Sequence, residues 1–128
     1  MNNWLNGDAI WNNANRYKVL RRSEDFTQPG PAETWVFIEE RPESVNDATF
    51  VVTMNQRGAG TYIVDFPANY HNGEGGLSFA DGHCETHKWR DARTTPPVSW
   101  NNNKFALNIP SPDNQDVAWL QEHTTGLR

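Results

Sequence analysis

A single cysteine, Cys84, stands in the 128-residue chain, which excludes an internal disulfide scaffold. Positive charge is also scarce, with 11 Lys and Arg against 16 Asp and Glu and a formal net charge of -5. The densest basic cluster is Lys18, Arg21 and Arg22. Nucleic-acid binding needs a more concentrated basic face than this. No apolar run approaches the length of a membrane span, and no signal-peptide pattern follows Met1. The chain has no Gly-x-Ser-x-Gly element for a nucleophile. Its glycine-rich segment, residues 73–76 (GEGG), lacks the Gly-Lys-Ser/Thr end of a phosphate loop and leads into a strand pattern.

Apolar residues make up only 36% of the chain, and mean hydropathy is -0.81. Six Trp, six Phe and three Tyr offset this scarcity, because each aromatic ring buries a large area. The expectation is one domain, residues 1–128, with a thin aromatic core and long loops.

Strand patterns are short. Residues 34–39 (TWVFIE) are β-branched and aromatic and read as a central strand buried on both faces. Residues 48–54 (ATFVVTM) and 61–66 (TYIVDF) read as two more strands, and 17–20 (YKVL) as a shorter one. Ser23 is placed to cap a helical turn. Asp113 is placed to cap a last helix over residues 115–123, with Val117, Leu120 and Trp119 as inward candidates.

The densest information lies in residues 70–89, YHNGEGGLSFADGHCETHKW. Asp81-Gly82 between two alternating runs signals a β-hairpin with a two-residue turn. Pairing outward from that turn sets Phe79 opposite Cys84 and Leu77 opposite Thr86. Those four residues then form a core face, with Ser78, His83, Glu85, His87 and Trp89 on the polar face. On this reading Cys84 is a small buried hydrophobe.

His83 and His87 share a face but stand about 13 Å apart along a strand, too far to share a metal ion. His71 reads as a hydrogen-bonded residue that pins the loop before the hairpin. Glu39, Glu40, Glu43 and Asp47 cluster with Ser44 and Asn46 around a turn. Hard oxygen ligands suit calcium, but the EF-hand offsets are absent and a solvated acidic turn is the simpler expectation.

His71, nine intervening residues, then Asp81 and Gly82 form a pattern that resembles the H-x9-DG signature of prepilin-type proteins, relatives of type II secretion pseudopilins. Residues 34–47 (TWVFIEERPESVND), 91–97 (DARTTPP), 108–114 (NIPSPDN) and 1–5 (MNNWL) extend the likeness over nearly the whole chain. The resemblance implies an α+β fold: an antiparallel β-sheet of four or five strands with long loops and one or two short helices. It gives His71, Asp81 and Gly82 an architectural role and implies no enzymatic activity. It implies a pilin-like structural subunit of a secretion or surface-fibre system, on the periplasmic or extracellular side of the cell envelope. Partners would be other pilin-like subunits or secretion machinery, engaged through an N-terminal hydrophobic helix. Some relatives bind calcium, which raises Glu40, Asp47 and Asp81 as candidate ligands. This sequence displays no leader peptide, cleavage site or hydrophobic helix. The expectation is that Met1 is internal to a longer precursor, or that the chain is a solitary soluble derivative.

Two rivals come from other classes. An extracellular carbohydrate-binding module would need a planar row of exposed rings, with Trp4, Trp11 and Trp100 as candidates. A metal-dependent hydrolase would converge His71, His83 and Asp81 on one transition metal.

Overall fold

Strands β3 (Glu74–Phe79) and β4 (Cys84–Lys88) form the expected hairpin. The computed structural model describes residues 1–6, 16–97 and 104–128. β1 (Trp35–Ile38) pairs antiparallel with β3, so the sheet runs β1-β3-β4 with β3 in the middle. A bulge between Trp35 and Phe37 shifts the β1 register. β2 (Tyr62–Ile63) and β5 (Ile109–Pro110) form a separate two-stranded antiparallel pair. The helix α1 (Gln115–Glu122) follows. The α+β expectation therefore holds, but the described strands divide between two sheets where one sheet of four or five was expected.

The hairpin register corrects the expected one by a residue. Ser78 pairs with Cys84, Leu77 with Glu85 and Gly76 with Thr86. The Phe79 N–H donates to the His83 carbonyl, and the Gly82 N–H donates to the Phe79 carbonyl. The loop is thus three residues, Ala80, Asp81 and Gly82. Asp81 is absent from the residues with positive φ, whereas Gly82 sits at +96°. A type I′ turn needs positive φ at both central positions. A three-residue loop needs it only at the glycine that closes the bulge. One residue of slip moves every β4 side chain to the other face. Cys84 is accordingly exposed, not buried, and Trp89 lies in the core.

β1 is correct as a strand but is neither central nor buried on both faces. Trp35 is fully buried, while Phe37 is 57% exposed. The other edge of β1 is closed by the N-terminal segment and the end of α1. The Asn2 N–H donates to the Val36 carbonyl, and the Trp35 N–H donates to the His123 carbonyl. Asn2 Nδ2 also donates to the carbonyls of Trp35 and Thr124.

The expected strand over residues 48–54 keeps its alternation without its ladder. Phe50, Val52 and Met54 are buried in the core. The backbone between them is satisfied mainly by side chains. Val51 N–H donates to Asp65 Oδ2, Val52 N–H donates to Asn3 Oδ1, and Gln121 Nε2 donates to the Thr53 carbonyl. Phe50 makes only an isolated bridge to Asn2. Residues 61–66 likewise shorten to β2, because Phe66 turns away and its N–H donates to Ser44 Oγ. Residues 17–20 contribute isolated bridges at Tyr17 and Leu20.

Two capping assignments also change. Ser23–Asp25 is a 3-10 turn whose preceding N–H groups, from Arg21 and Arg22, both donate to Asp25 Oδ2. Asn114, not Asp113, caps α1: its Oδ1 accepts from the N–H groups of Asp116 and Val117. Asn114 Nδ2 donates onward to Thr94 Oγ1 and Ser111 Oγ, which holds a buried side chain on every polar atom. The helix serves both apolar clusters. Leu120 enters the main core with Trp4, Trp35, Phe50, Leu77, Phe79 and Trp89. Val117 packs with Ile63 and Phe66 in a smaller one.

Candidate functional site

Gly76 lets the acidic end of β1 lie across the middle of the outer sheet face. The Gly76 N–H donates to Glu39 Oε2 at 2.9 Å, and a Cβ at Gly76 would stand 3.2 Å from that oxygen. His71 Nε2 lies 3.5 Å from the same carboxylate oxygen. Both side chains are at least half exposed, so the pair contributes little to stability. The His71 backbone holds the loop: His71 N–H donates to the Glu74 carbonyl and Glu74 N–H to that of His71. Asn72 and Gly73 have positive φ, and this tightens the turn into β3.

The inner side of that loop is pinned by Trp89. Its Nε1 donates to the Ala68 carbonyl at 2.8 Å across Gly75. A Cβ at Gly75 would stand 2.4 Å from that carbonyl oxygen. Gly75 and Gly76 therefore have opposite jobs on opposite faces of one strand.

At the far end of β3, Asp81 Oδ1 accepts from the His83 N–H and lies 2.6 Å from His83 Nδ1. The backbone N–H of His83, then its ring, holds the Asp81 carboxyl below the usual carboxylate range. The His83 ring stacks on Phe79 with centroids 4.4 Å apart. His71 and Asp81-Gly82 thus bracket β3, a strand of six residues spanning about 20 Å. The motif residues are not gathered at one point. Each shapes one end of the same hairpin.

Between those ends the outer face is an open depression of about 540 Å³. It is lined by Phe37, Ile38, Glu39, His71, Gly76, Leu77, Ser78, Cys84, Glu85 and Thr86. Phe37 and Cys84 were misplaced by the expected burial pattern. Once the three-residue loop is recognised, period-two alternation alone assigns Cys84 and Thr86 to the outer face.

The acidic turn occupies another part of the molecule. Glu40 accepts from Ser44 Oγ at 2.8 Å, and burial raises its carboxyl above the usual range. Asp47 Oδ1 accepts from the Thr49 N–H. Asp65, unforeseen as a site residue, is 4% exposed, and its Oδ1 has no hydrogen-bond partner. Burial, reinforced by Glu40 and Asp47, raises its carboxyl to about 7. The calcium candidates Glu40, Asp47 and Asp81 do not converge. Among the described residues no three His, Cys, Asp or Glu side chains form a group that could hold a metal ion. The same holds for His71, His83 and Asp81.

On the helix side of β4, Trp119 is stacked between two imidazoles. Its ring centroid is 3.7 Å from His87 and 4.2 Å from His123. Trp119 and His123 are four residues apart, the spacing that puts two side chains on one helix face. Burial lowers the His87 pKa, and nearby Asp116 and Glu85 oppose that shift. The carbohydrate-binding candidate Trp4 is fully buried. Trp11 and Trp100 lie outside the described residues.

Among the described residues, no helix is long and apolar enough to cross a membrane. No family model, curated protein or solved structure matches this chain.

Proposed function

We propose that this chain is a non-enzymatic, pilin-like structural subunit of a cell-envelope secretion or surface-fibre system. The observation that carries the reading is the hairpin. Asp81 and Gly82 build its turn, and His71 and Glu39 meet at its open end, so the H-x9-DG residues serve architecture. The antiparallel sheet is consistent with that role. Its place would be the periplasmic or extracellular side of the envelope, beside other pilin-like subunits. The test is the genomic reading frame upstream of Met1, followed by fractionation of cells carrying the full frame. A leader with a hydrophobic helix, and recovery of the protein in the envelope, are the expected results. A frame without a hydrophobic helix, or a protein confined to the cytoplasm, would refute the proposal.

A further inference from the structure

Among the described residues, β4 is an edge of the β1-β3-β4 sheet. The pairing with β3 uses the backbone groups of His83, Glu85, His87 and Trp89. This follows from the alternation of antiparallel ladders and from the bonds Phe79 N–H to His83 and Trp89 N–H to Gly73. The N–H and C=O groups of Cys84, Thr86 and Lys88 therefore point outward. Among the described residues no strand pairs with them.

Natural edges are usually blocked by proline, a bulge or a projecting charge. β4 has no proline, and its five pairs with β3 run in register. Two of its outer-face side chains, Thr86 and Lys88, lean back toward β3 and the loop before it. Thr86 Oγ1 donates to Glu74 Oε2 at 2.8 Å, and Lys88 Nζ donates to the Asn72 carbonyl.

We propose that β4 pairs antiparallel with β4 of a second copy, about a two-fold axis through Thr86. Two observations favour a second copy over another extended peptide. The outward groups lie symmetrically about Thr86, so Thr86 meets Thr86 and Cys84 meets Lys88 in hydrogen-bonded pairs. Glu85 then falls directly opposite His87 on the helix side, in a non-hydrogen-bonded pair with Cβ atoms about 5 Å apart. His87 is half-buried and held by ring stacking, and among the described residues no side chain or backbone group hydrogen-bonds either ring nitrogen. The Glu85 carboxylate of the second copy supplies the missing acceptor. The inference stands independently of the envelope assignment, since it uses only the edge.

The experiment is sedimentation equilibrium of the 128-residue chain from micromolar to millimolar concentration, with far-UV circular dichroism of each variant. The wild type is expected to dimerise reversibly. Thr86→Pro removes an outward N–H that β3 does not use, and should weaken the dimer at least tenfold with the spectrum retained. Glu85→Ala, which leaves the backbone intact, should weaken it several-fold and covers the case in which the proline variant fails to fold. In a Cys84→Ser background, Thr86→Cys should form a symmetric disulfide dimer on oxidation. A wild type that is monomeric throughout, or a dimer indifferent to Glu85→Ala and to Thr86→Pro, would overturn the proposal. So would saturable binding of an extended peptide to β4 by a chain that never self-associates.

Discussion

Replacing Asp65 by Asn should make the protein more stable at neutral and alkaline pH and flatten its pH dependence. Asp65 is nearly inaccessible, accepts the Val51 N–H at 2.6 Å through Oδ2, and leaves Oδ1 without a partner. Burial comes first among the causes that raise its carboxyl from 3.8 to about 7, with Glu40 and Asp47 adding repulsion. Because the folded value is the higher one, the folded state holds the proton more tightly. The unfolded chain ionises from about pH 4 upward, whereas the folded chain must either keep the proton or bury a charge. The contribution of Asp65 to stability is therefore largest near pH 4, falls as pH rises to 7, and levels off above it. At about 1.4 kcal/mol per tenfold change in proton affinity, the full fall is about 4 kcal/mol.

An asparagine carries no charge to bury, and its Oδ1 can keep the Val51 bond. Its amide nitrogen inherits the orphaned position, at a cost of about 1–3 kcal/mol if it finds no acceptor. The net gain expected at pH 8 is about 1–3 kcal/mol. Near pH 4 the variant should be no more stable than the wild type. Urea unfolding of both proteins at intervals from pH 4.5 to 8 measures this directly, since the midpoint shifts with stability at constant slope. A difference between the two midpoints that does not widen in favour of the variant as pH rises would refute the reasoning. An equal fall in both proteins would do the same.

Gly82→Val should cost at least about 1 kcal/mol, because a β-branched residue resists the positive φ that closes the three-residue loop; thermal melting reads it. Gly75→Ala should cost more, about 2–4 kcal/mol, since its Cβ would meet the Ala68 backbone oxygen at 2.4 Å and break the Trp89 bond. The accompanying signature is a shift in near-UV circular dichroism as Trp89 moves; unchanged spectra and melting would show that the loop can give way. Asn114→Ala should cost about 1–2 kcal/mol through the lost cap, with further loss from the unpaired Thr94 and Ser111 hydroxyls. Asp113→Ala should be nearly silent by comparison, and reversed sensitivities in urea unfolding would contradict the capping assignment.

The elements legible in the sequence were those marked by their own residue types or by turn and cap residues: the 34–39 strand, the hairpin and the last helix. What could not be read were the partners supplied from far along the chain. Asn2, Asn3, Asp65 and Gln121 occupy places where a neighbouring strand would stand. A polar side chain that replaces a ladder leaves the alternation of Phe50, Val52 and Met54 intact, so pattern alone cannot tell the two apart. This also explains how a chain with so few apolar residues closes its core. Its aromatic interior is sealed by buried amides and carboxylates, and among the described residues the Asp65 carboxylate is left incompletely satisfied.

The hairpin shows how much can hang on one residue. Asp-Gly suits both a two-residue loop and a three-residue loop closed by glycine, and the two differ in which face β4 presents. With the shorter loop, Cys84 and Thr86 would join the core and Trp89 would be left outside. With the observed loop, Trp89 can reach across Gly75 to the Ala68 carbonyl, so the turn at Asp81-Gly82 is coupled to the loop that carries His71. Glu39 reaches the same loop from the opposite face through Gly76. The separation of His71 from Asp81 then matches the length of β3, whose two ends they occupy. One residue sets the start of β3, the other sets its return, and the register between them decides which side chains the sheet offers to a partner.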